Sequence, residues 1–266
     1  MRWLLILLLA ALPARADDGA VRGKLAAGAT AMVTEVVDGD TVVLDPAPGG
    51  AAQVRLVGIQ APKLPLGRKG FKPWPLAPDA KRALERLVLE KSVTLYFGGT
   101  AKDRHGRHLA HLFTHEGIWV QGRLLADGMA RVYTFPDNRA VVPEMLAREN
   151  AARDARLGIW SHPFYAVRAV DPALLMRRLG TFQLIEGRVM AAARVKSRVY
   201  LNFGEDWRSD FTVALDSRAR RAFKKAGMDP LALENRRIRV RGWLRKHNGP
   251  MIEASHPEQI EALTER

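Results

Sequence analysis

The spacing of apolar and polar residues in the first half of the chain predicts a small β-rich unit with three helices. Short runs rich in β-branched and aromatic residues, separated by Gly, Pro and Asp, predict strands at 32–37, 41–44, 53–59, 92–97 and 108–114. Apolar residues recur at helical spacing along 78–88, 119–128 and 142–157, which predicts three helices. Residues 17–28 are small and polar and are expected to be loose, and the Pro- and Gly-rich stretch 62–78 is expected to be a long loop.

The second half follows a different order of elements. We predict strands at 182–190, 195–203 and 210–215, a helix at 217–226, strands at 236–244 and 249–254, and a short helix at 257–264. Three strands, a helix and two strands is the order of a five-stranded OB-type barrel. The sequence therefore predicts a β-rich α+β chain with a first domain at 28–165, a linker at 166–180 and a small, basic, OB-like domain at 181–266.

The N-terminus has the pattern of an export signal. Arg2 is followed by ten apolar residues at 3–12, and Ala14 and Ala16 suit a signal-peptidase site before Asp17. Ten apolar residues are too few for a transmembrane helix, which needs about 20. We therefore expect a signal peptide at 1–16 and a periplasmic or secreted protein without a transmembrane anchor.

The composition of the chain limits the partners that it can bind and the chemistry that its side chains can perform. The chain has 42 Lys and Arg against 28 Asp and Glu, a formal charge of +14, which favours nucleic acid, an acidic membrane face or another polyanion as partner. It has no cysteine, which excludes disulfides, a thiol nucleophile and a thiolate zinc site. Four histidines, His105, His108, His111 and His115, are spaced too irregularly to favour a zinc site.

Four motifs in the first domain occur in a fixed order. They are Asp38-Gly39-Asp40-Thr41, the segment Arg55 to Lys63 (RLVGIQAPK), the segment Asp103 to Ala110 (DRHGRHLA), and Gly158-Ile159-Trp160. Over residues 30–163 this order resembles the staphylococcal nuclease (thermonuclease) family. The resemblance implies a five-stranded OB-type barrel with three helices, and calcium-dependent cleavage of DNA and RNA.

The resemblance also implies roles for particular residues. Asp40 matches the family's first metal carboxylate, and Arg55 and Arg107 match its two phosphate-binding arginines. The chemistry agrees, because a guanidinium can hold two oxygens of a phosphorus transition state at once. Gln60 and Lys63 depart from the pattern, since they stand where the family has a second metal Asp and the Glu thought to activate or position water.

These departures leave two functions open. The side-chain oxygen of Gln60 and a backbone oxygen of Ala61 could still complete a calcium shell around Asp40. Lys63 is expected to be protonated and exposed, so it cannot accept a proton from water but could hold phosphate as a third cation. One hypothesis is an exported DNA or RNA phosphodiesterase, and the other is a non-catalytic nucleic-acid- or polyanion-binding module of the cell envelope; the oligomeric state stays open.

The C-terminal part contains a second candidate surface. Arg237, Arg239 and Arg241 alternate with apolar residues, and a strand of that period directs the three cations to one face. With Trp207 as a stacking residue, this face could bind a single strand of nucleic acid. The alternative interpretation is a solvated outer face with the aromatic residues in the core.

Overall fold

The computed structural model describes residues 18–264, so the predicted signal peptide lies outside the described residues. The elements of the first part are α1 (Asp18–Arg22), β1 (Ala26–Asp38), β2 (Thr41–Asp45), β3 (Gln53–Leu56), β4 (Ile59–Gln60), α2 (Ala77–Val88), β5 (Ser92–Phe97), β6 (His108–Thr114), α3 (Val120–Ala126), β7 (Arg131–Val132) and α4 (Val142–Asp154). Among residues 18–264, no helix combines the length and the apolarity needed to cross a membrane.

Five of these strands form a closed barrel in the order β1-β2-β3-β6-β5, which confirms the predicted OB-type architecture. The barrel closes because β1 is long enough to pair at its start with β5 (Ala26 with Phe97) and at its end with β2 (Asp38 with Thr41). β3 and β6 are parallel neighbours, and the other pairs are antiparallel. Its interior is filled by Val, Leu and Ile side chains that are almost completely buried.

The segment 17–28 was expected to be loose, and this prediction is wrong for its described part. It contains α1 and the start of β1. The carboxylate of Asp18 accepts a hydrogen bond from the backbone N–H of Trp119 (2.9 Å) and pairs with Arg148, while Val21 is buried in the barrel core. These partners lie about a hundred residues away in the sequence, so local composition did not reveal them.

Two glycines hold the ends of the last two helices of this part together. A Cβ at Gly128 would lie 2.3 Å from the carbonyl oxygen of Leu157, and a Cβ at Gly158 would lie 2.2 Å from that of Gly128. Both glycines have positive φ, at +65° and +50°. The close approach ends α3 and α4 at Ala126 and Asp154, before the predicted ends at 128 and 157.

The second part is an eight-stranded sheet, which we call the second barrel because its strand order is that of an OB-type barrel. Its elements are β8 (Arg168–Ala169), α5 (Pro172–Met176), β9 (Phe182–Arg188), β10 (Ala191–Val195), β11 (Arg198–Asn202), β12 (Thr212–Leu215), α6 (Ser217–Lys225), β13 (Arg237–His247), β14 (Gly249–Glu253) and β15 (Ile260–Ala262). The strand order is β10-β11-β12-β14-β13-β9, with β12 and β14 parallel. β9 and β10 are successive halves of one bent chain segment, which pairs with β13 and then with β11, as β1 pairs with two neighbours in the first barrel.

Two details of the second part differ from the predictions. Of the stretch 257–264, predicted as a short helix, Pro257–Gln259 is a single turn of 3-10 helix, and it is followed by β15, which pairs with β13. Ile260 is buried there while Ala262 is exposed. The stretch 166–180 carries α5 and a short strand, β8, that pairs in parallel with β9. The domain boundaries themselves remain a prediction.

A third apolar cluster and buried charges join the two barrels. Trp160 and Tyr165 from the first part pack with Phe182 and Leu184 of β9. Below them, Arg241 of β13 is 1% exposed and bonds the carboxylates of Glu149 on α4 and Glu261 on β15. Because buried charges are costly unless paired, this network links the stability of both barrels.

A buried histidine also joins the barrels and predicts a pH effect. Nε2 of His256 lies 2.7 Å from the hydroxyl of Thr134, and burial lowers the pKa of His256 from 6.5 to about 4. The unfolded chain therefore binds this proton before the folded chain does, and stability from this residue is lost as the pH falls from 6.5 towards 4.

We expect that His256→Gln removes this contribution. Between pH 7 and pH 4 the unfolding free energy of the native chain should fall by about 3 kcal/mol more than that of the variant. Urea denaturation at several pH values measures the difference. His247→Gln is the matched control, because His247 is exposed. Parallel pH profiles for native chain and His256→Gln would contradict the prediction.

Candidate functional site

The tight turn between β1 and β2 places one carboxylate at the base of the barrel. The side chain of Asp38 accepts a hydrogen bond from the backbone N–H of Asp40 (3.0 Å) and so shapes the turn. A Cβ at Gly39 would lie 2.6 Å from Cβ of Ala61 and 2.9 Å from Cβ of Ala80, so the turn packs closely only with glycine. Asp40 is consequently fully buried.

The buried carboxylate of Asp40 is surrounded by positive groups. Nζ of Lys63 lies 2.8 Å from Oδ1 and 2.7 Å from Oδ2, and Nη1 of Arg55 lies 3.1 Å from Oδ1. Oδ2 also accepts the backbone N–H of Ala61 (2.8 Å). Burial acts to raise the pKa of Asp40, but the charges of Arg55 and Lys63 hold that pKa below its ordinary value. Asp40 is therefore a carboxylate with two cationic partners.

Lys63 is not the exposed loop residue that the sequence predicted. Its side chain is 19% exposed, because its ammonium turns inward to Asp40 and approaches Oδ2 of Asp38 at 3.4 Å. Burial and the charge of Asp40 raise the pKa of Asp38. The ammonium thus partly offsets the repulsion between two neighbouring carboxyl groups.

Arg55 is held rigidly in β3. Its Nη1 donates to the carbonyls of Asp40 (3.1 Å) and Leu56 (2.9 Å), and its Nη2 donates to the carbonyl of Ile59 (2.7 Å). A guanidinium has five N–H groups, so these three bonds leave Nε–H and one N–H of Nη2 unused. The backbone carbonyls therefore orient Arg55 before any ligand binds.

Arg107 lies on the neighbouring segment and reaches the same cavity. Its Nε donates to Oδ2 of Asp103 (2.8 Å), in a turn that leads into β6. Because β3 and β6 are adjacent, Arg55 and Arg107 both line a cavity of about 580 Å³. The structure thus brings Arg55 and Arg107 to one cavity, and Asp40 contacts Arg55 from outside that cavity. Asp40 and Lys63 are not among the described residues that line the cavity.

The residues around Asp40 do not fit a calcium ion. Both carboxylate oxygens of Asp40 accept hydrogen bonds from the ammonium of Lys63. A metal ion would have to bind these same oxygens, so the ammonium competes with it. Oε1 of Gln60 accepts instead from Nε (3.0 Å) and Nη2 (2.6 Å) of Arg131, and Ala61 contributes its N–H. Within residues 18–264, no cluster of three or more His, Asp or Glu could hold a metal. The predicted set of Asp40, Gln60 and Ala61 is therefore not assembled as a metal site.

Sequence reasoning missed several residues of the cavity. Lys102 and Arg104 line it; Lys102 lies directly before the motif of Arg107 and Arg104 lies within it, so that motif could have indicated both. Tyr133 and Phe135 line its opposite part, and their rings contact each other at a centroid distance of 5.0 Å. These aromatic residues carry no motif, and only the packing of the chain brings them to the cavity.

The second candidate surface is corrected by the structure. The alternation is as predicted, with Ile238 and Val240 in the core, but the arginine face lies against acidic groups. Arg237 and Arg239 both pair with Glu186 (2.6 and 3.0 Å), and Arg241 is buried. A nucleic acid therefore cannot reach Arg241, and both of its neighbours on this face, Arg237 and Arg239, are engaged in ion pairs.

Trp207 does not join that face. It is 53% exposed in the loop between β11 and β12, and lines a separate cavity of about 440 Å³ with Tyr200 and His247. The four histidines of the first barrel form no metal cluster in the described chain.

Comparisons with known proteins identify the family. The model of the family described as staphylococcal nuclease homologue matches residues 53–162, which contain Arg55, Arg107 and both departures. An uncharacterized endonuclease of Escherichia coli O157:H7 is 32% identical over 131 residues, which is 48% of this chain and 75% of that protein. The thermonuclease of Staphylococcus hyicus is 25% identical over 133 residues, or 50% of this chain and 76% of that protein.

The chain belongs to the staphylococcal nuclease homologue family. This agrees with the barrel topology and with the order of the motifs. A further relative, an uncharacterized protein of Bacillus anthracis, is 33% identical over 131 residues, and the match spans 48% of this chain and 59% of that protein. The family model ends at residue 162, so it does not describe the second barrel.

Proposed function

We propose that this protein binds the phosphodiester backbone of DNA or RNA at the cavity of Arg55 and Arg107, and that it does so without calcium. The observation that carries the proposal is the position of Lys63, whose ammonium lies 2.7 and 2.8 Å from the two oxygens of Asp40. The ammonium of Lys63 balances the charge of the buried carboxylate of Asp40, as a bound metal ion would. Arg55 and Arg107, which match the phosphate-binding arginines of the family, still line the cavity.

The electrostatics of the cavity support a bound phosphate. Besides the two arginines, Lys102 and Arg104 line it, whereas its carboxylates are those of Asp103 and Asp137. Asp103 is paired with Arg107, so a positive excess faces the cavity. Guanidinium groups bind phosphate oxygens through paired, charge-assisted hydrogen bonds. The names of the relatives described as endonuclease and thermonuclease support nucleic acid as the substrate class.

A second candidate function is phosphodiester hydrolysis, and the shared cavity of Arg55 and Arg107 favours it. Both arginines would stabilise the charge of a phosphorus transition state. A base would also be needed, and Lys63 cannot serve while its ammonium is paired with Asp40. Asp137, which lines the cavity and accepts a hydrogen bond from Thr100 (2.7 Å), would be that base.

We also propose that the protein is exported. The support is the sequence of residues 1–16, with its short basic start, its apolar stretch and its small residues before Asp17. Mass spectrometry of the protein from periplasmic and medium fractions tests this, since export predicts a first residue near Asp17.

The proposed binding predicts a specific effect of Arg107→Ala. We expect affinity for a fluorescent DNA oligonucleotide to fall about three- to tenfold, and the slope of log affinity against log salt to lose about 1 unit, because one phosphate contact is removed. Fluorescence anisotropy at several salt concentrations measures both. Arg123→Ala is the matched control, since Arg123 pairs with Asp127 four residues away as Arg107 pairs with Asp103.

Chelator distinguishes the two candidate functions. Binding that is equal in EDTA and in calcium, without loss of full-length DNA, is the result expected for the binding module. Cleavage of DNA would replace the binding module by the hydrolase: cleavage that continues in EDTA fits Asp137 as the base, and cleavage that stops in EDTA requires a metal ion. Binding that requires calcium, or that is equally sensitive to Arg107→Ala and Arg123→Ala, would overturn the proposed site.

A further inference from the structure

A cluster of positive charges without paired carboxylates lies on α6 of the second barrel. This helix, Ser217–Lys225, has the sequence SRARRAFKK, with five cations in nine residues and no acidic residue. Within the described chain, no salt bridge joins Arg218, Arg220, Arg221, Lys224 or Lys225 to a carboxylate. This contrasts with the arginines of β13, whose charges are met by Glu149, Glu186 and Glu261.

The arrangement of these cations is costly for the helix itself. Arg220 and Lys224 are four residues apart, as are Arg221 and Lys225, so like charges are neighbours on the helix surface. Each such pair destabilises a helix by a few tenths of a kcal/mol. The helix is retained because Ala219 and Phe223 are buried in the core of the second barrel. Among these cations, Arg220 has a contact within the fold, from its Nη1 to the carbonyl of Ser197 (3.0 Å), so the fold explains only part of the cluster.

The cations also border a concave surface. Arg194, Arg220, Arg221 and Lys224 line a cleft of about 550 Å³ between α6, β10 and the turn at 227–231. One carboxylate, that of Asp229, lines the same cleft, and it accepts a hydrogen bond from the backbone N–H of Leu231 (3.0 Å). Four cations against one carboxylate make this cleft a site for an anion.

We infer that this basic cleft, defined by Arg194, Arg220, Arg221 and Lys224, is a second binding surface for the backbone of a nucleic acid. A recessed group of guanidiniums can surround phosphates along a chain. An anionic bilayer fits less well, because the apolar residues Ala219 and Phe223 of α6 are turned into the barrel and cannot insert into lipid. The cleft lies outside the family match, and it does not depend on the cavity of Arg55 and Arg107.

The test uses the full chain with Arg220→Gln, Arg221→Gln and Lys224→Gln combined. We expect affinity for a fluorescent 20-nucleotide single-stranded DNA at 0.1 M salt to fall at least tenfold, and the salt slope to fall by about 2, since each lost phosphate contact to a single strand removes about 0.7. The melting temperature should change little, because the relieved repulsion within α6 offsets the lost hydrogen bond from Arg220 to the carbonyl of Ser197. The matched control combines Lys81→Gln, Arg82→Gln and Arg123→Gln, three cations of the first barrel that pair with acids.

Several outcomes decide the inference. An equal loss of DNA binding in the two triple variants would show a general effect of net charge and would overturn it. If the triple variant of α6 binds DNA as the native chain does but no longer binds phosphatidylglycerol vesicles, the ligand of the basic cleft is an anionic membrane and not a nucleic acid. Arg107→Ala is measured in the same assay, alone and combined with the triple variant. If only the triple variant weakens DNA binding, the basic cleft binds DNA and the proposed binding at the cavity of Arg55 and Arg107 is wrong. If only Arg107→Ala weakens it, the cavity binds DNA and the inference about the basic cleft is wrong.

Discussion

Combined replacement of Lys63 by Glu and Gln60 by Asp is expected to create calcium-dependent DNA cleavage, at least a hundredfold above the native chain. Lys63→Glu removes the ammonium that caps both oxygens of Asp40 and adds a group that can accept a proton. Gln60→Asp adds a second carboxylate near the turn, and calcium affinity rises with the number of carboxylates. Arg55 and Arg107 already line the cavity, so the change restores the half of the site that is missing.

The measurement is digestion of fluorescent DNA in calcium and in EDTA. Lys63→Met is the matched control, since it removes the ammonium without adding a carboxylate and should not cut. A second measurement is independent of catalysis. Without calcium the double variant should melt at a lower temperature, because like charges gather near Asp38 and Asp40, and calcium at 100 times its Kd should restore about 2.7 kcal/mol. Absence of both cleavage and calcium stabilisation would show that this barrel lacks the geometry for the family reaction.

Replacement of Arg241 by Ala is expected to lower the unfolding free energy by about 3–5 kcal/mol. Arg241 is 1% exposed and lies 2.9 Å from Oε1 of Glu149, which is itself fully buried. Removing the guanidinium leaves a buried carboxylate with fewer partners, in a network that also includes Glu261. Because this network joins the two barrels, the loss should affect the whole chain.

Urea denaturation at pH 7 measures this effect, with Arg245→Ala as control. Arg245 lies on β13, as Arg241 does, and pairs with Glu253 of β14 at 3.2 Å. Its side chain is 67% exposed, so we expect Arg245→Ala to lower the unfolding free energy by no more than about 1 kcal/mol. Adding Glu149→Gln to Arg241→Ala should recover part of the loss, because it removes the stranded charge. Equal effects of Arg241→Ala and Arg245→Ala would refute the role given to the buried network.

Neighbouring residues and their order along the chain were enough to predict the two barrels. Alternating apolar runs bounded by Gly, Pro and Asp specify strands, because a strand with one buried face needs that period. The predicted strands at 108–114 and 249–254 correspond to β6 and β14 to within one residue. The stretch 257–264 was misassigned because pairing with β13, a strand distant in sequence, overrides its local preference for a helix.

The sequence also indicated which arginines are candidates for binding phosphate. Arg55 and Arg107 could be identified because each lies in a motif whose spacing and order are characteristic of the family. Their convergence on one cavity follows from the pairing of β3 with β6, which the fold class already implied. The absence of a family carboxylate at positions 60 and 63 was likewise visible in the residue types alone.

Only the tertiary structure decided what the departing residues do. Lys63 faces Asp40, Gln60 faces Arg131, Arg241 is enclosed by Glu149 and Glu261, and a cluster of five cations lies on α6. Residue type sets the charge that a side chain carries, and so the sequence by itself determined the fold and the basic character of the chain. Whether that charge is buried, paired or open to a ligand depends on groups brought close from distant segments, and on the water they displace.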